Sequence, residues 1–227
     1  MAPAHTFHVI AHRGDSAQAP GNSAQAFEQA IRAGAYSIET DVRLTADGIL
    51  ILEHDEDIGG LLVAGAALAE LRAVNPGLLT VAAALKEFGQ TIPFCWEVKA
   101  PHIVPALLTL VSDLVPPALW VQSEFTSFLW ANVLALHVFS PRSTVGWLTT
   151  DWSETAITRV ATVGLSQICP PAPQVLAAPD LVGIAHAKGL TVRAWNISEL
   201  SLVRRLADVG VDGGTVNFPG EALTALA

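Results

Sequence analysis

The chain alternates a strand-like apolar run with a helix-like pattern from end to end, without a linker or low-complexity stretch, and this alternation limits its fold more than any other feature. Strands are expected at 7–12, 36–43, 92–99, 118–122, 143–149, 166–169, 190–196 and 211–216. Helices are expected at 23–33, 80–88, 102–114, 126–138, 153–163, 174–188 and 198–209, with a short tail helix from 220. Asn22 or Ser23, Ser153 and Ser198 stand where N-caps belong, and Gly34, Gly89, Gly164, Gly189 and Gly210 fall just past helix ends. A further run, Gly48 to His54, reads as a hairpin return after the turn Thr45-Ala46-Asp47-Gly48. Strands each followed by a helix imply a closed parallel (β/α)8 TIM barrel, and 227 residues fit one such domain over 1–227. Hydrophobic residues make up 51% and charged residues 15%, as expected where strands are buried on both faces. A doubly wound open sheet is the alternative, but no Gly-x-Gly-x-x-Gly follows the first strand.

Charged residues interrupt these apolar runs in a pattern that points to chemistry. His12-Arg13-Gly14 closes the first run, and Glu39 and Asp41 lie inside the second. Side chains alternate along a strand, so Glu39 and Asp41 share one aim. Two carboxylates near a histidine and an arginine suit a divalent cation and a phosphate. The other reading, a solvated strand face, sits poorly with such apolar flanks. His54-Asp55 follows fifteen residues beyond Glu39. Glu97 and Lys99 repeat the device on one face of a short strand, together with Cys95. Burying that pair costs several kcal/mol unless each charge has a partner. A metal for Glu97 and a phosphate for Lys99 would provide them; a plain Glu–Lys ion pair would do so too.

In a barrel of this kind the active site lies at the C-terminal ends of the strands. His12, Asp41, Glu97, Lys99, Gln122 and Trp195 fall at those ends of their expected strands. His5, His8, His102, His137 and His186 fall in the tail, early in a strand or on helices, where packing or surface roles are expected.

The motifs in their order resemble the glycerophosphodiester phosphodiesterase family. The likeness runs from His12-Arg13-Gly14 through Asn22-Ser23, Ile38-Glu39-Thr40-Asp41-Val42, Thr45-Ala46-Asp47-Gly48 and His54-Asp55. It continues with Glu97-Val98-Lys99, Gln122-Ser123, Ala194-Trp195-Asn196 and Gly210-Val211-Asp212-Gly213. This resemblance implies hydrolysis of glycerophosphodiesters to glycerol 3-phosphate and an alcohol, through attack of the glycerol 2-hydroxyl and a cyclic phosphate. Glu39, Asp41 and Glu97 would hold one Mg²⁺ or Ca²⁺, hard cations that prefer oxygen. Arg13 and Lys99 would contact phosphate oxygens, with Gln122 also on the substrate. Trp195 would pack against the glycerol carbons; its other reading is a core aromatic. His12 and His54 would share proton removal and leaving-group protonation, in an order the sequence leaves open. Four departures stand out. Gly21 replaces a glutamate, and Glu124 follows Gln122-Ser123 where phenylalanine is usual. The segment Asp55 to Gly60 lacks an Arg-Thr-Thr stretch, and Asn217 stands where the family carries aspartate. A non-catalytic phosphodiester-binding homologue and a related phospholipase or lyase acting on lysolipids are the alternatives.

A net charge of −9 argues against a nucleic-acid partner, since phosphate backbones need clustered Lys and Arg. Cys95 and Cys169 have neither disulfide-framework nor metal-ligand spacing. No signal-peptide pattern opens the sequence and no run is long enough to insert stably in a membrane, so the cytoplasm is expected. Trp120, Trp130, Trp147 and Trp152 suggest either outer-helix packing or a homodimer contact.

Overall fold

Eight strands run parallel in the computed structural model, which describes residues 6–227, so His5 lies outside the described residues. They are β1 (His8–His12), β2 (Ser37–Leu44), β3 (Phe94–Val98) and β4 (Glu124–Ser127), then β5 (Thr144–Leu148), β6 (Gln167–Cys169), β7 (Thr191–Ile197) and β8 (Gly213–Val216). Each pairs with its neighbour in chain order, and β1 pairs with both β2 and β8. The sheet therefore closes into the expected (β/α)8 barrel, which excludes an open doubly wound sheet. Two side-chain layers follow from strand alternation. Outward residues such as Val9, Ile38, Phe94, Trp96, Phe125 and Val192 join the helices in one apolar core.

Phe27, on the helix Ala24–Ala33, sits at the centre of that outer layer. Its ring meets Phe88 and Phe94 edge-on at 5.6 and 5.7 Å, and it is fully buried. Phe27→Ala is expected to cost about 3–5 kcal/mol, the range for emptying a packed aromatic site. A fall in the chemical-denaturation midpoint at unchanged slope checks this.

The inner layer is polar. Glu39, Asp41, Gln167, Arg193 and Thr215 are all buried, against general practice for such side chains. Between β2 and β3 the chain makes the expected hairpin return. Leu50–Leu52 runs antiparallel to β2, with Val42 opposite Leu52 and Leu44 opposite Leu50. A small satellite core of Ile51, Ile58, Val63, Leu71 and Leu78 holds this excursion together. It contains a helix, Leu68–Val74, that no sequence signal had marked. Glu70 caps it by accepting from Ala67 N at 2.7 Å.

The fourth strand was expected at 118–122 and lies at Glu124–Ser127. Proline explains the shift. Pro116 and Pro117 set the backbone for a helical turn, and Pro117–Trp120 forms a short helix instead. The following helix accordingly starts at Trp130 rather than 126. The helix expected over 174–188 is two, Ala172–Ala177 and Asp180–Ala187, because Pro179 disfavours helical backbone at Ala178. Ser23 and Ser153 do cap their helices, whereas the helix Leu200–Asp208 starts after Glu199 and not at Ser198.

The tryptophans pack within the fold. The Arg159 guanidinium lies 3.9 Å from the Trp130 ring centroid and 5.2 Å from that of Trp147. Trp152 Nε1 donates to Ala178 O at 3.1 Å, and Trp120 leans on the outer core. Cys95 and Cys169 are buried free thiols. No helix among the described residues is long and apolar enough to cross a membrane.

Candidate active site

The C-terminal ends of the strands enclose a cavity of about 380 Å³. Arg13 and Gly14 form a left-handed turn after β1, at φ 57° and 83°. Gly14 is required there, since a Cβ would come within 2.5 Å of the Ala26 backbone. This turn carries Arg13 back across the barrel mouth, where its Nε lies 3.4 Å from Asp41 Oδ2 and 3.2 Å from His12 Nε2. Gly21 packs under the same arginine: a Cβ there would stand 3.1 Å from Arg13 Cβ and 3.2 Å from Cδ. The glutamate absent at this position thus gives way to close support of the Arg13 stem.

Register assembles the carboxylates. His12 aligns with Glu39 across β1 and β2, and Asp41 aligns with Glu97 across β2 and β3. Glu39, Asp41 and Glu97 each offer an oxygen within 4.8 Å of the other two. Lys99 Nζ lies 2.6 Å from Glu97 Oε1 and 3.1 Å from Asp41 Oδ1. Asn22 donates from Nδ2 to Asp41 Oδ2 at 3.0 Å and accepts from Thr40 Oγ1 at 2.7 Å.

Electrostatics divide the three acids. Burial pushes Glu39 well above the usual carboxylate range, and Asp41 and Glu97 push it further. Burial also raises Glu97, against the pull of Lys99. Burial acts on Asp41 too, but Lys99, the Asn22 hydrogen bond and Arg13 outweigh it and hold Asp41 low. Burial would lower Lys99, yet Asp41 and Glu97 keep it raised. Three carboxylates so close, two of them with raised pKa, make a site that a divalent cation would relieve. Asp41 Oδ1, buried and held among the described residues only by the Lys99 ammonium at 3.1 Å, has the chemistry of an oxygen ligand for such an ion.

The two histidines flank this cluster. His12 Nδ1 lies 2.5 Å from Asn217 Oδ1, and its Nε2 lies 4.0 Å from Glu39 Oε2. Burial and Arg13 lower the His12 pKa, and the Asn217 hydrogen bond only partly offsets them. His54 lines the same cavity, half-exposed, with Nδ1 2.7 Å from Asp55 Oδ1. Arg43, on β2, fixes the His54 segment by donating to its carbonyl from Nε at 3.1 Å and Nη2 at 2.8 Å. Opposite, Trp195 donates from Nε1 to Cys169 O at 2.9 Å and meets Phe128 edge-on at 5.4 Å. Below them Arg193 lines the cavity floor, 3% exposed, donating to Thr215 Oγ1 at 2.8 Å with Glu124 Oε2 3.6 Å from its Nε.

His12, Arg13, Glu39, His54, Glu97, Lys99 and Trp195 thus share one cavity, with Asp41 bonded beneath it. Gln122 does not join them. It precedes β4, at the barrel's opposite end, and donates to Ala118 O at 3.0 Å. The displaced fourth strand is the reason: the residue at its C-terminal end is Ser127, and Phe128 takes the place at the cavity. Asn22, Arg43, Phe128, Arg193 and Asn217 were not expected as site residues. Only Asn22 and Asn217 carried a sequence signal, a helix-start position and a departure from a family pattern.

The sequence pattern of the Glycerophosphoryl diester phosphodiesterase family matches residues 12–75 and 103–221. Glu97 and Lys99 lie between the two stretches, so their place at the site rests on the register with β2. A Mycobacterium tuberculosis protein named "Probable glycerophosphodiester phosphodiesterase 1" is 28% identical over 245 residues, covering 93% of this chain and 89% of its own. A glycerophosphodiester phosphodiesterase of Parabacteroides distasonis is 26% identical, with a TM-score of 0.85 over 97% of this chain and 96% of that one. An Oleispira antarctica phosphodiesterase, solved in complex with the product sn-glycerol-3-phosphate, shares the fold at 22% identity and a TM-score of 0.86, covering 96% of each chain. With most of its length matched and the paired acids and histidines gathered at one barrel mouth, the chain belongs to the glycerophosphoryl diester phosphodiesterase family and is an enzyme of phosphodiester cleavage.

Proposed function

We propose that the enzyme hydrolyses glycerophosphodiesters to glycerol 3-phosphate and an alcohol, using His12 and His54 as its proton-transfer pair. The observation that carries this reading is the convergence of three carboxylates within 4.8 Å beside a cavity that both histidines line. The Oleispira antarctica structure, which holds glycerol 3-phosphate on the same fold, supports the product. Glu39, Asp41 and Glu97 would hold one divalent cation, Mg²⁺ or Ca²⁺, which supplies positive charge against the phosphate in the transition state.

The chain's own groups account for the remaining steps. Arg13 and Lys99 bind the non-bridging phosphate oxygens, Arg13 as a fork and Lys99 as a point charge. Trp195 and Phe128 form an apolar wall against the glycerol carbons. His12 Nε2 accepts the proton of the glycerol 2-hydroxyl as its oxygen bonds to phosphorus. His54 gives a proton to the departing alcohol oxygen as the old P–O bond breaks. In the second half the roles reverse: one imidazole takes a proton from water, and the other returns one to the 2-oxygen as the ring opens. His12 suits the first role because burial and Arg13 lower its pKa, which favours the neutral, proton-accepting imidazole. The same reading places the enzyme in glycerol and lipid metabolism, in the cytoplasm.

Phosphorus NMR of glycerophosphocholine incubated with the enzyme and either metal tests this course. The expected result is a glycerol 3-phosphate signal, with any cyclic diester signal transient. A cyclic product that accumulates would indicate a lyase, and phosphocholine would mean that the wrong bond is cut.

A further inference from the structure

Asn217 lies just beyond β8, next to His12 because β8 pairs with β1 (Ala11 aligns with Val216). Three hydrogen bonds define the proton positions between them. The Arg13 Nε–H is an obligate donor and points at His12 Nε2 at 3.2 Å, so Nε2 carries the lone pair. The proton of a neutral His12 is then on Nδ1, directed at Asn217 Oδ1, 2.5 Å away. The amide oxygen must therefore face the imidazole, and Ser16 Oγ donates to the same Oδ1 at 3.0 Å. A backbone bond from Ala17 N to Asn217 O, 2.9 Å long, ties the turn after β1 to this position. Asn217 offers His12 an amide oxygen, an acceptor without a charge.

We propose that Asn217 is the positioning residue of His12: its oxygen holds the imidazole in the Nδ1–H tautomer, so that Nε2 is the proton-accepting atom at the cavity once the Arg13 guanidinium turns from it to the phosphate. An uncharged acceptor orients the ring without adding a fourth negative group beside Glu39, Asp41 and Glu97. The partner of His54 is of the other kind, since Asp55 is a carboxylate. The two imidazoles therefore receive different support, a neutral one for the group that accepts a proton first and an anionic one for the group that donates. This assignment rests on the proposed role of His12, but its geometry can be read without turnover.

The test is two-bond ¹H–¹⁵N correlation of the histidine rings, with steady-state kinetics on the same samples. In the wild type His12 is expected to show a protonated Nδ1 and a bare Nε2. With inorganic phosphate present to draw Arg13 off Nε2, Asn217→Ala should lose that tautomer preference; it should lower kcat by roughly 10- to 100-fold, the scale for outer partners of a working imidazole, with KM changed less than about twofold. Asn217→Asp, which retains the acceptor, should keep the Nδ1–H form and recover most of kcat at mildly alkaline pH. A wild-type His12 protonated on Nε2 would overturn the proposal. So would Asn217→Ala with wild-type tautomer and kcat, or Asn217→Asp as impaired as Asn217→Ala. Loss of the tautomer in Asn217→Ala would uphold the positioning role even if no diester turned over, an outcome that counts against the function alone.

Discussion

His12→Ala is expected to lower kcat by about 100-fold or more, the usual scale for removing an acid–base group. The side chain lies at the cavity and outside the apolar core between barrel and helices, so its loss should leave the denaturation midpoint near wild type. KM should change little, because Arg13 and Lys99, the proposed phosphate ligands, remain. The pH dependence has a definite sign. Burial and Arg13 hold His12 below an ordinary imidazole, so its neutral, accepting form persists to lower pH. The acid limb of kcat/KM should therefore fall below that of an unperturbed histidine and be absent from the residual activity of His12→Ala. Near-wild-type turnover in that variant would remove His12 from the chemistry.

The second large effect is expected in metal-dependent stability. Glu39 is raised by burial and by its acidic neighbours, so the metal-free folded state binds a proton there more tightly than the unfolded chain does. The destabilisation from this group accordingly grows as pH rises from the unfolded value and is complete above the folded one. A cation that needs the ionised carboxylate should stabilise most in that upper range and least in acid. At about 100 times its Kd a ligand stabilises by roughly 2.7 kcal/mol. For a chain of this size that corresponds to a rise in Tm of roughly 5–10 °C. Glu39→Gln should raise or leave unchanged the metal-free Tm while removing most of the metal-induced rise. Differential scanning fluorimetry with Mg²⁺ or Ca²⁺, at neutral and acid pH, reads both effects. An equal rise at both pH values, or one that survives in Glu39→Gln, would contradict the assignment of the carboxylates.

The barrel was legible because its evidence is local and repeated. Apolar runs, serine caps at Ser23 and Ser153, and glycine stops at Gly34 and Gly89 fall where the structure puts strands and helix ends. Seven of the eight strands overlap their expected ranges. The fourth failed because Ala118 to Val121 is apolar enough to read as a strand, while Pro116 and Pro117 favour a helical turn. That slip carried Gln122 to the wrong end of the barrel. Glu39, Asp41 and Glu97 were legible through alternation within strands, since charges on one face of an apolar strand need partners. The His12–Asn217 contact spans 205 residues and exists only because β8 closes against β1. Arg193 was hidden for a related reason: a buried arginine in a strand gains meaning only once Thr215 and Glu124 are brought beside it.

The measurement that bears most directly on the central claim is release of glycerol 3-phosphate from glycerophosphocholine by the purified enzyme. It should be run with EDTA, then with Mg²⁺ or Ca²⁺ restored, in the wild type and in His12→Ala. The expected result is release that EDTA abolishes, metal restores and His12→Ala lacks. Release that persists in EDTA, or at wild-type rate in His12→Ala, would contradict it.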